Sequence, residues 1–218
     1  MEDFNRARED MVEYQLRRRG IRDPATLEAM RRVPREAFVP EHLRHSAYYD
    51  GPLPIGDGQT ISQPFMVAMM TEALELTDQD RVLEIGAGSG YSAAVLSCIA
   101  AEVHTVERNA SLAKQAEARV NKLGYNAHVH HADGSLGWPE NAPYDAIVVT
   151  AGSPRVPDPL VQQLTVNGRL VIPVGSTPRE QTLYRIRKVS EDKTEKENLG
   201  GVLFVPLVGE AGWEKGLT

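Results

Sequence analysis

The stretch Val82-Leu83-Glu84-Ile85-Gly86-Ala87-Gly88-Ser89-Gly90-Tyr91 decides the fold class of this chain. Its first four residues form a short, mainly apolar run that predicts a buried strand, and a helical pattern begins at Tyr91. Between them, the three glycines let the backbone bend tightly and approach a ligand without obstruction by side chains. This order of strand, glycine turn and helix predicts the first unit of an α/β sheet, with a ligand at the turn.

Downstream of the glycine turn, strands and helices alternate. Apolar runs predict six further strands, namely Val103–Val106, Ala127–His131, Tyr144–Thr150, Gly168–Val174, Gln181–Val189 and Gly200–Val208. Helices are predicted from Tyr91, over 109–123 and around Leu160–Leu164. The alternation predicts a doubly wound, mostly parallel seven-stranded sheet that binds its ligand outside the carboxyl ends of the central strands. The segment Ser190–Asn198 mixes charges of both signs and is predicted to be a solvated hairpin loop.

The N-terminal part of the chain predicts a helical extension. Residues 4–19 and 24–32 have amphipathic helical patterns separated by Gly20, and Asp23 followed by Pro24 is a typical helix start.

We therefore expect a single domain that covers residues 1–218. Within it, residues 1–58 form the N-terminal helices and a loop-rich, proline-containing connection, and residues 59–218 form the cofactor-binding sheet with its C-terminal strands.

The composition argues against several classes of function. The 218-residue chain has a formal net charge of -6, which argues against a nucleic-acid backbone as its main partner. The basic run Arg17-Arg18-Arg19 is interpreted as the solvated end of a helix.

No stretch approaches the roughly 18 apolar residues of a membrane span, and no signal peptide is visible. The single cysteine, Cys98, fits a reducing compartment, so we expect a cytoplasmic protein. The sequence sets no oligomeric state, and a monomer is compatible with it.

Acidic or glycine-bearing turns follow each of the first three predicted strands. Glu84, just before the glycines, would repel a pyrophosphate but attract a ligand that carries ammonium and sulfonium groups. Glu107 is placed to accept hydrogen bonds from the hydroxyls of an adenosine ribose. Asp133 is a candidate acceptor for the adenine amino group, and Gly134 permits close approach. The glycine spacing is not Gly-x-Gly-x-x-Gly, so a dinucleotide is the less favoured ligand.

Histidines 128, 130 and 131 cluster on the third predicted strand. Strand alternation would put His128 and His130 on one face, but no cysteine or further carboxylate pattern completes a metal site. We expect no metal.

The glycine turn resembles the first motif of class I S-adenosylmethionine methyltransferases, and the chain as a whole closely resembles the protein-L-isoaspartate O-methyltransferase family. The resemblance runs from about Met11 to Trp213. It is carried by Val82–Tyr91, Tyr144–Thr150, Gly168–Gly175, Val33–Pro40, Leu53–Pro64 and Phe204–Val208. Thr60-Ile61-Ser62 is the discriminating segment, because the glycine turn also occurs in methyltransferases with unrelated substrates. Departures are small: Ala87 stands where threonine is common, and Gly152 where alanine is frequent.

The resemblance implies an enzyme that methylates the free carboxylate of L-isoaspartyl residues in damaged proteins, with S-adenosylmethionine as methyl donor and S-adenosylhomocysteine as product. Whether D-aspartyl residues are also accepted stays open. It implies that Ser62 is the catalytic residue, although Ser62-Gln63-Pro64 alone also predicts a helix N-cap. With the three turns, it gives the following cofactor-binding residues: Thr60, Ile61, Ser62, Glu84, Gly86, Ala87, Gly88, Glu107, Arg108, Asp133 and Gly134.

Three alternatives remain at this point. A methyltransferase for a small molecule would share every cofactor residue and differ on the acceptor side. A binding module without catalysis would keep the cavity, although the retained Ser62 counts against it. A dehydrogenase is disfavoured by the glycine spacing and by Glu84.

Overall fold

A computed structural model of the chain describes residues 3–214. Its α-helices are α1 (Phe4–Asp10), α2 (Pro24–Arg32), α3 (Pro64–Ala73), α4 (Tyr91–Ser97), α5 (Ala110–Leu123) and α6 (Asp158–Gln162). Its strands are β1 (Leu53–Gly56), β2 (Gln59–Ile61), β3 (Arg81–Ile85), β4 (Glu102–Glu107), β5 (Ala127–His131), β6 (Tyr144–Val149), β7 (Leu164–Thr177), β8 (Glu180–Ser190) and β9 (Lys193–Val202).

Seven of these strands form one sheet in the order β5-β4-β3-β6-β7-β8-β9. The pairs from β5 to β7 are parallel, and β8 and β9 add antiparallel at one edge. The predicted α/β fold with a mostly parallel seven-stranded sheet is therefore confirmed. The chain runs from β3 outward to β5 and then returns to the other side of β3. This reversal opens a crevice at the carboxyl ends of β3 and β6, where ligands bind in such sheets.

Side chains of the central strands alternate between the two faces of the sheet. On β3, Leu83 and Ile85 lie in an apolar cluster with α6, whereas Val82 lies in another with α3 and α4. Helices thus cover both faces, as the doubly wound prediction requires. Because β6 is buried on both sides, its sequence from Ala146 to Val149 is continuously apolar.

The N-terminal extension is helical, as predicted. The predicted helix over 4–19 begins as α1, continues as a π-helical turn and ends in a 3-10 turn before Gly20, which adopts a φ of +108°. α2 begins as expected, since the Asp23 carboxylate accepts a hydrogen bond from the Thr26 N–H at 2.8 Å. Together with the small β1–β2 hairpin, these elements pack over α3 and α4.

The predicted loop Ser190–Asn198 is wrong. Most of it belongs to β9, which runs antiparallel to β8 and ends at Val202, so the predicted strand Gly200–Val208 begins too late and extends too far. β9 lies at the sheet edge with nearly all its side chains in solvent, and it therefore lacks the apolar residues that mark a strand. Cross-strand pairing of opposite charges accompanies it: Arg185 Nε donates to Glu197 at 2.9 Å.

Among residues 3–214, no helix is both long and apolar enough to cross a lipid bilayer.

Candidate active site

A cavity of about 200 Å³ lies at the carboxyl ends of β3, β4 and β6. Its wall contains nine of the eleven predicted cofactor-binding residues, namely Thr60, Ile61, Ser62, Gly86, Ala87, Gly88, Glu107, Arg108 and Gly134. The remaining two, Glu84 and Asp133, lie outside the wall. The β1–β2 hairpin and the segment after β9 supply further wall residues, so the cavity lies between the sheet edge and these two segments.

The glycine turn after β3 is held tightly against β6. Gly86 has a φ of +98°, and a Cβ atom at this position would lie 2.4 Å from the Thr150 Oγ1 atom. That hydroxyl is 2.8 Å from the Gly86 carbonyl oxygen and 3.0 Å from that of Ile85, so it donates into the turn. Only glycine fits this backbone without displacing Thr150. The sequence identifies Thr150 only as a strand end, since no local pattern links it to a turn 64 residues earlier.

Glu107 joins the end of β4 to the glycine turn. One carboxylate oxygen accepts a hydrogen bond from the Gly88 N–H at 3.0 Å, and the other accepts from the Asn109 N–H at 2.8 Å. Two backbone donors therefore fix the orientation of a carboxylate that lines the cavity. Each oxygen keeps a lone pair for another donor, which is the capacity that binding two ribose hydroxyls requires.

Glu84 lies behind the cavity wall. Its side chain is fully buried on the α4 side of the sheet, where Thr105 Oγ1 donates to one carboxylate oxygen at 2.6 Å. The other oxygen has no partner among residues 3–214. Burial raises the pKa of this carboxyl to about 7, against the opposing effect of its hydrogen bond with Thr105. An unpartnered buried acceptor is costly, but this one does not reach the cavity, so the contact of Glu84 with the cofactor stays a prediction.

Asp133 and Gly134 follow β5, as predicted, but only Gly134 reaches the cavity. The Asp133 carboxylate accepts hydrogen bonds from the Ser135 N–H at 3.0 Å and from the Glu210 N–H at 2.8 Å, which ties the C-terminal segment to the turn. The proposed contact of Asp133 with adenine stays a prediction. A Cβ at Gly134 would lie 2.6 Å from Ile85 Cγ2, so glycine is required for the close packing of this turn on β3.

Ser62 lies between β2 and α3, in the cavity wall. The N-cap of α3 is Gln63, without a side-chain cap, so the alternative reading of Ser62 as the helix cap is wrong. Within the described chain, the Ser62 hydroxyl makes no hydrogen bond, whereas its backbone carbonyl accepts one from Arg35 at 2.8 Å. The hydroxyl is therefore available to a ligand in the cavity.

The histidine cluster is away from the cavity. His130 shares a hydrogen bond with the buried His104 at 3.0 Å and stacks on Trp138 at 4.2 Å between ring centroids. Burial lowers the pKa of His130 to about 4, so the ring is neutral at physiological pH. Residues 3–214 contain no group of three or more histidine, cysteine or acidic side chains arranged to bind a metal.

Comparison with known proteins agrees with this geometry. A family model described as Protein-L-isoaspartate(D-aspartate) O-methyltransferase (PCMT) matches residues 6–212. The protein-L-isoaspartate O-methyltransferase 2 of Pelobacter propionicus is 62% identical over 207 residues, which are 94% of this chain and 92% of that protein.

Two solved structures share the fold over nearly the whole chain. One, named protein-L-isoaspartate O-methyltransferase, superimposes with a TM-score of 0.85 at 31% identity and covers 94% of this chain and 67% of that one. The other is a Plasmodium falciparum structure described as a beta-aspartate methyltransferase (PCMT) in complex with S-adenosyl-L-homocysteine. Its TM-score is 0.77 at 28% identity, with 91% of this chain and 96% of that one covered.

The sheet order, the glycine turn and the acid at the end of β4 agree with the family match and with the structure bound to S-adenosyl-L-homocysteine, and together they identify the class as the S-adenosylmethionine-dependent methyltransferases. Within that class, the family match over residues 6–212 is specific, and the chain belongs to the protein-L-isoaspartate (D-aspartate) O-methyltransferase family.

Proposed function

We propose that this cavity binds S-adenosylmethionine and that the chain transfers its methyl group to the free carboxylate of L-isoaspartyl residues in proteins. The observation that carries the proposal is that Ser62, from the segment that distinguishes the family, lines the same cavity as Glu107 and the glycine turn. The acceptor-side and cofactor-side residues are thus close enough to act on one methyl group.

The residues of the wall fit the cofactor. Glu107 would accept hydrogen bonds from the ribose hydroxyls, and Gly134 leaves room for the adenine beside Ile85. Glycines 86 and 88 expose the backbone at the turn, so that a ligand can approach the main chain there. When bound, S-adenosylmethionine supplies an electrophilic methyl group on a sulfonium centre.

The acceptor needs orientation more than activation. A carboxyl group has a pKa near 4, so the nucleophile is already ionised at neutral pH and no general base is required. The free Ser62 hydroxyl is placed to donate a hydrogen bond to one acceptor oxygen and leave the other to attack. Ile61, Val205 and Leu207 form an apolar part of the wall, which would displace water that otherwise solvates the nucleophile once the acceptor is bound. Catalysis then depends mainly on proximity and alignment.

The natural substrates follow from this chemistry. When an aspartyl linkage has rearranged, the methylene lies in the main chain and the free carboxylate is attached directly to the α-carbon. We infer that proteins with such linkages are the substrates that bind in the cavity. The single cysteine, Cys98, fits an enzyme that acts on such proteins in the reducing cytoplasm.

The test is transfer of labelled methyl from S-adenosylmethionine to three peptides of one sequence, which contain an L-isoaspartyl, a D-aspartyl or a normal L-aspartyl residue. We expect rapid labelling of the isoaspartyl peptide and none of the normal one, while the D-aspartyl peptide measures the breadth of the site. Equal labelling of the isoaspartyl and normal peptides, or of neither, would contradict the proposal.

A further inference from the structure

Arg35 is a fully buried guanidinium close to the cavity. It belongs to a 3-10 turn, Arg35–Ala37, in the N-terminal layer. Its Nε atom donates to the Ala47 carbonyl at 2.7 Å, and one Nη atom donates to the Ser62 carbonyl at 2.8 Å. The guanidinium also lies over the ring of Tyr91, 5.0 Å from its centroid, at the start of α4.

Arg35 is an expensive residue to bury in this way. Its contacts within residues 3–214 are neutral carbonyls and an aromatic ring, without an ion pair, and the second Nη atom has no partner. Burial lowers the pKa of Arg35 to about 10, which still leaves the group charged at neutral pH. A buried charge of this kind is weak evidence for stability, because an apolar residue of similar volume often serves as well. Its contacts therefore indicate that Arg35 sets the position of the main-chain carbonyls that it binds.

Those contacts fix the peptide plane that follows Ser62. The guanidinium is planar and donates in set directions, so two carbonyls bonded to it are held at a fixed relative orientation. The side-chain amide of the next residue, Gln63, donates to the Asp50 carboxylate at 2.7 Å, and the same carboxylate accepts from Arg19 at 3.1 Å. Ser62 is thus anchored through its carbonyl and its neighbour, while its own hydroxyl stays free.

We infer that Arg35 is a positioning residue for Ser62: by binding the Ser62 carbonyl, it directs the Ser62 hydroxyl into the cavity. This inference rests on the proposed function. Arg35 itself is absent from the cavity wall, so it acts on the acceptor only through the wall residues that it contacts, Ser62 and Tyr91.

The test is a double-mutant cycle between Arg35→Met and Ser62→Ala, measured as kcat on an isoaspartyl peptide with saturating S-adenosylmethionine. Arg35→Met alone should lower kcat by about tenfold or more, the scale of losses from misplaced catalytic groups. In the Ser62→Ala background the same change should cost less than about twofold, because the hydroxyl that it positions is gone. Affinity for S-adenosylhomocysteine should stay within about threefold of wild type.

Arg169→Met is the matched control. Arg169 is also largely buried and donates to main-chain carbonyls, those of Leu74 at 2.6 Å and Asp145 at 3.1 Å. Unlike Arg35 it also forms an ion pair, with Asp80 at 2.8 Å, and it contacts neither Ser62 nor the cavity wall. It should leave kcat near wild type. Two results would overturn the inference. In the first, Arg35→Met lowers kcat equally in the wild-type and Ser62→Ala backgrounds; in the second, Arg169→Met lowers kcat as much as Arg35→Met does.

A second readout does not depend on turnover. Hydrogen exchange of the segment 59–63 should accelerate in Arg35→Met and stay unchanged in Arg169→Met; unchanged exchange in both would refute the positioning role even if the enzyme proved inactive on isoaspartyl peptides. If Arg35→Met does not fold, Arg35→Lys takes its place in both measurements. It keeps the charge but cannot bind both carbonyls in the same geometry, so it should give the same pattern with smaller losses. Wild-type turnover, measured beside each variant, tests the proposed function separately.

Discussion

The Glu107 carboxylate accepts a hydrogen bond from the Gly88 N–H at 3.0 Å, and this contact joins the turns after two neighbouring strands. β3 and β4 are parallel, with Ile85 paired to Val106, so the residues that follow each strand meet at one edge. The acid that faces the cavity thereby also holds the glycine turn in shape. Because a direct hydrogen bond between protein groups holds the two turns together, the cofactor meets a largely preformed site.

Replacement of Glu107 by alanine should therefore weaken the cofactor site in two ways. The variant loses the acceptor for the ribose and the brace for the glycine turn. We expect S-adenosylhomocysteine binding to fall by about 1–3 kcal/mol, the usual range for hydrogen bonds to a charged group, as measured by calorimetry. Glu117→Ala on the exposed face of α5 is the matched control and should bind as wild type does. If Glu107→Ala bound S-adenosylhomocysteine as tightly as wild type, Glu107 would not be the acceptor for the ribose hydroxyls.

Gly86→Ala should damage both stability and cofactor binding. A methyl group at this position meets Thr150 Oγ1 at 2.4 Å and also strains a φ of +98°. Gly20 offers a control with nearly the same backbone, a φ of +108°, but with nothing within 4 Å of an added Cβ. Gly20→Ala should cost only the left-handed strain of about 1–2 kcal/mol, and Gly86→Ala about 1–3 kcal/mol more, as measured by urea unfolding. Equal losses for the two variants would mean that Thr150 does not confine the turn.

Ser62→Ala should separate binding from transfer. The hydroxyl lines the cavity but makes no hydrogen bond within the described chain, so its loss leaves no buried partner unsatisfied. We expect the affinity for S-adenosylhomocysteine to stay within a few-fold of wild type while kcat on an isoaspartyl peptide falls by about tenfold or more. Ser97→Ala, which removes a hydroxyl bonded to the Ala94 carbonyl within α4, controls for a general effect of serine loss. An undiminished kcat would exclude Ser62 from the reaction.

The sequence predicts the parts of the site that follow from local pattern. The glycine turn and Glu107 can be placed without the structure, because neighbouring parallel strands end at one edge and bring the residues after them together. Contacts between distant segments leave no such pattern. The Asp133 carboxylate binds the N–H of Glu210, 77 residues further on, and Arg35 binds the Ser62 carbonyl. Both roles depend on tertiary packing, and neither has a periodic or spacing signal.

The sequence missed β9 because the side chains of this strand are exposed to solvent. Buried strands are recognised by their apolar runs, whereas β9 pairs with β8 while its side chains remain in solvent, so only its backbone marks it as a strand. For Glu84, the sequence places a carboxylate near the glycines but does not determine which face of β3 it occupies. Alternation along the strand puts it with Val82 on the face covered by α4, behind the cavity wall.

The burial of Glu84 should make the stability of the ligand-free protein depend on pH. Its folded-state pKa is raised to about 7 from a usual value near 4.5, chiefly by desolvation, with a smaller contribution from the Glu107 charge. Between these two values the folded state keeps a proton that the unfolded chain releases, so the stabilising effect is complete below about pH 4.5 and is lost as pH rises to about 7. Glu84→Gln keeps an acceptor for Thr105 and removes the titration. In urea unfolding, its stability relative to wild type should rise by about 3 kcal/mol between pH 4.5 and 8. The exposed control Glu117→Gln should show no such trend, and a flat difference for Glu84→Gln would mean that the Glu84 carboxyl titrates normally in the fold.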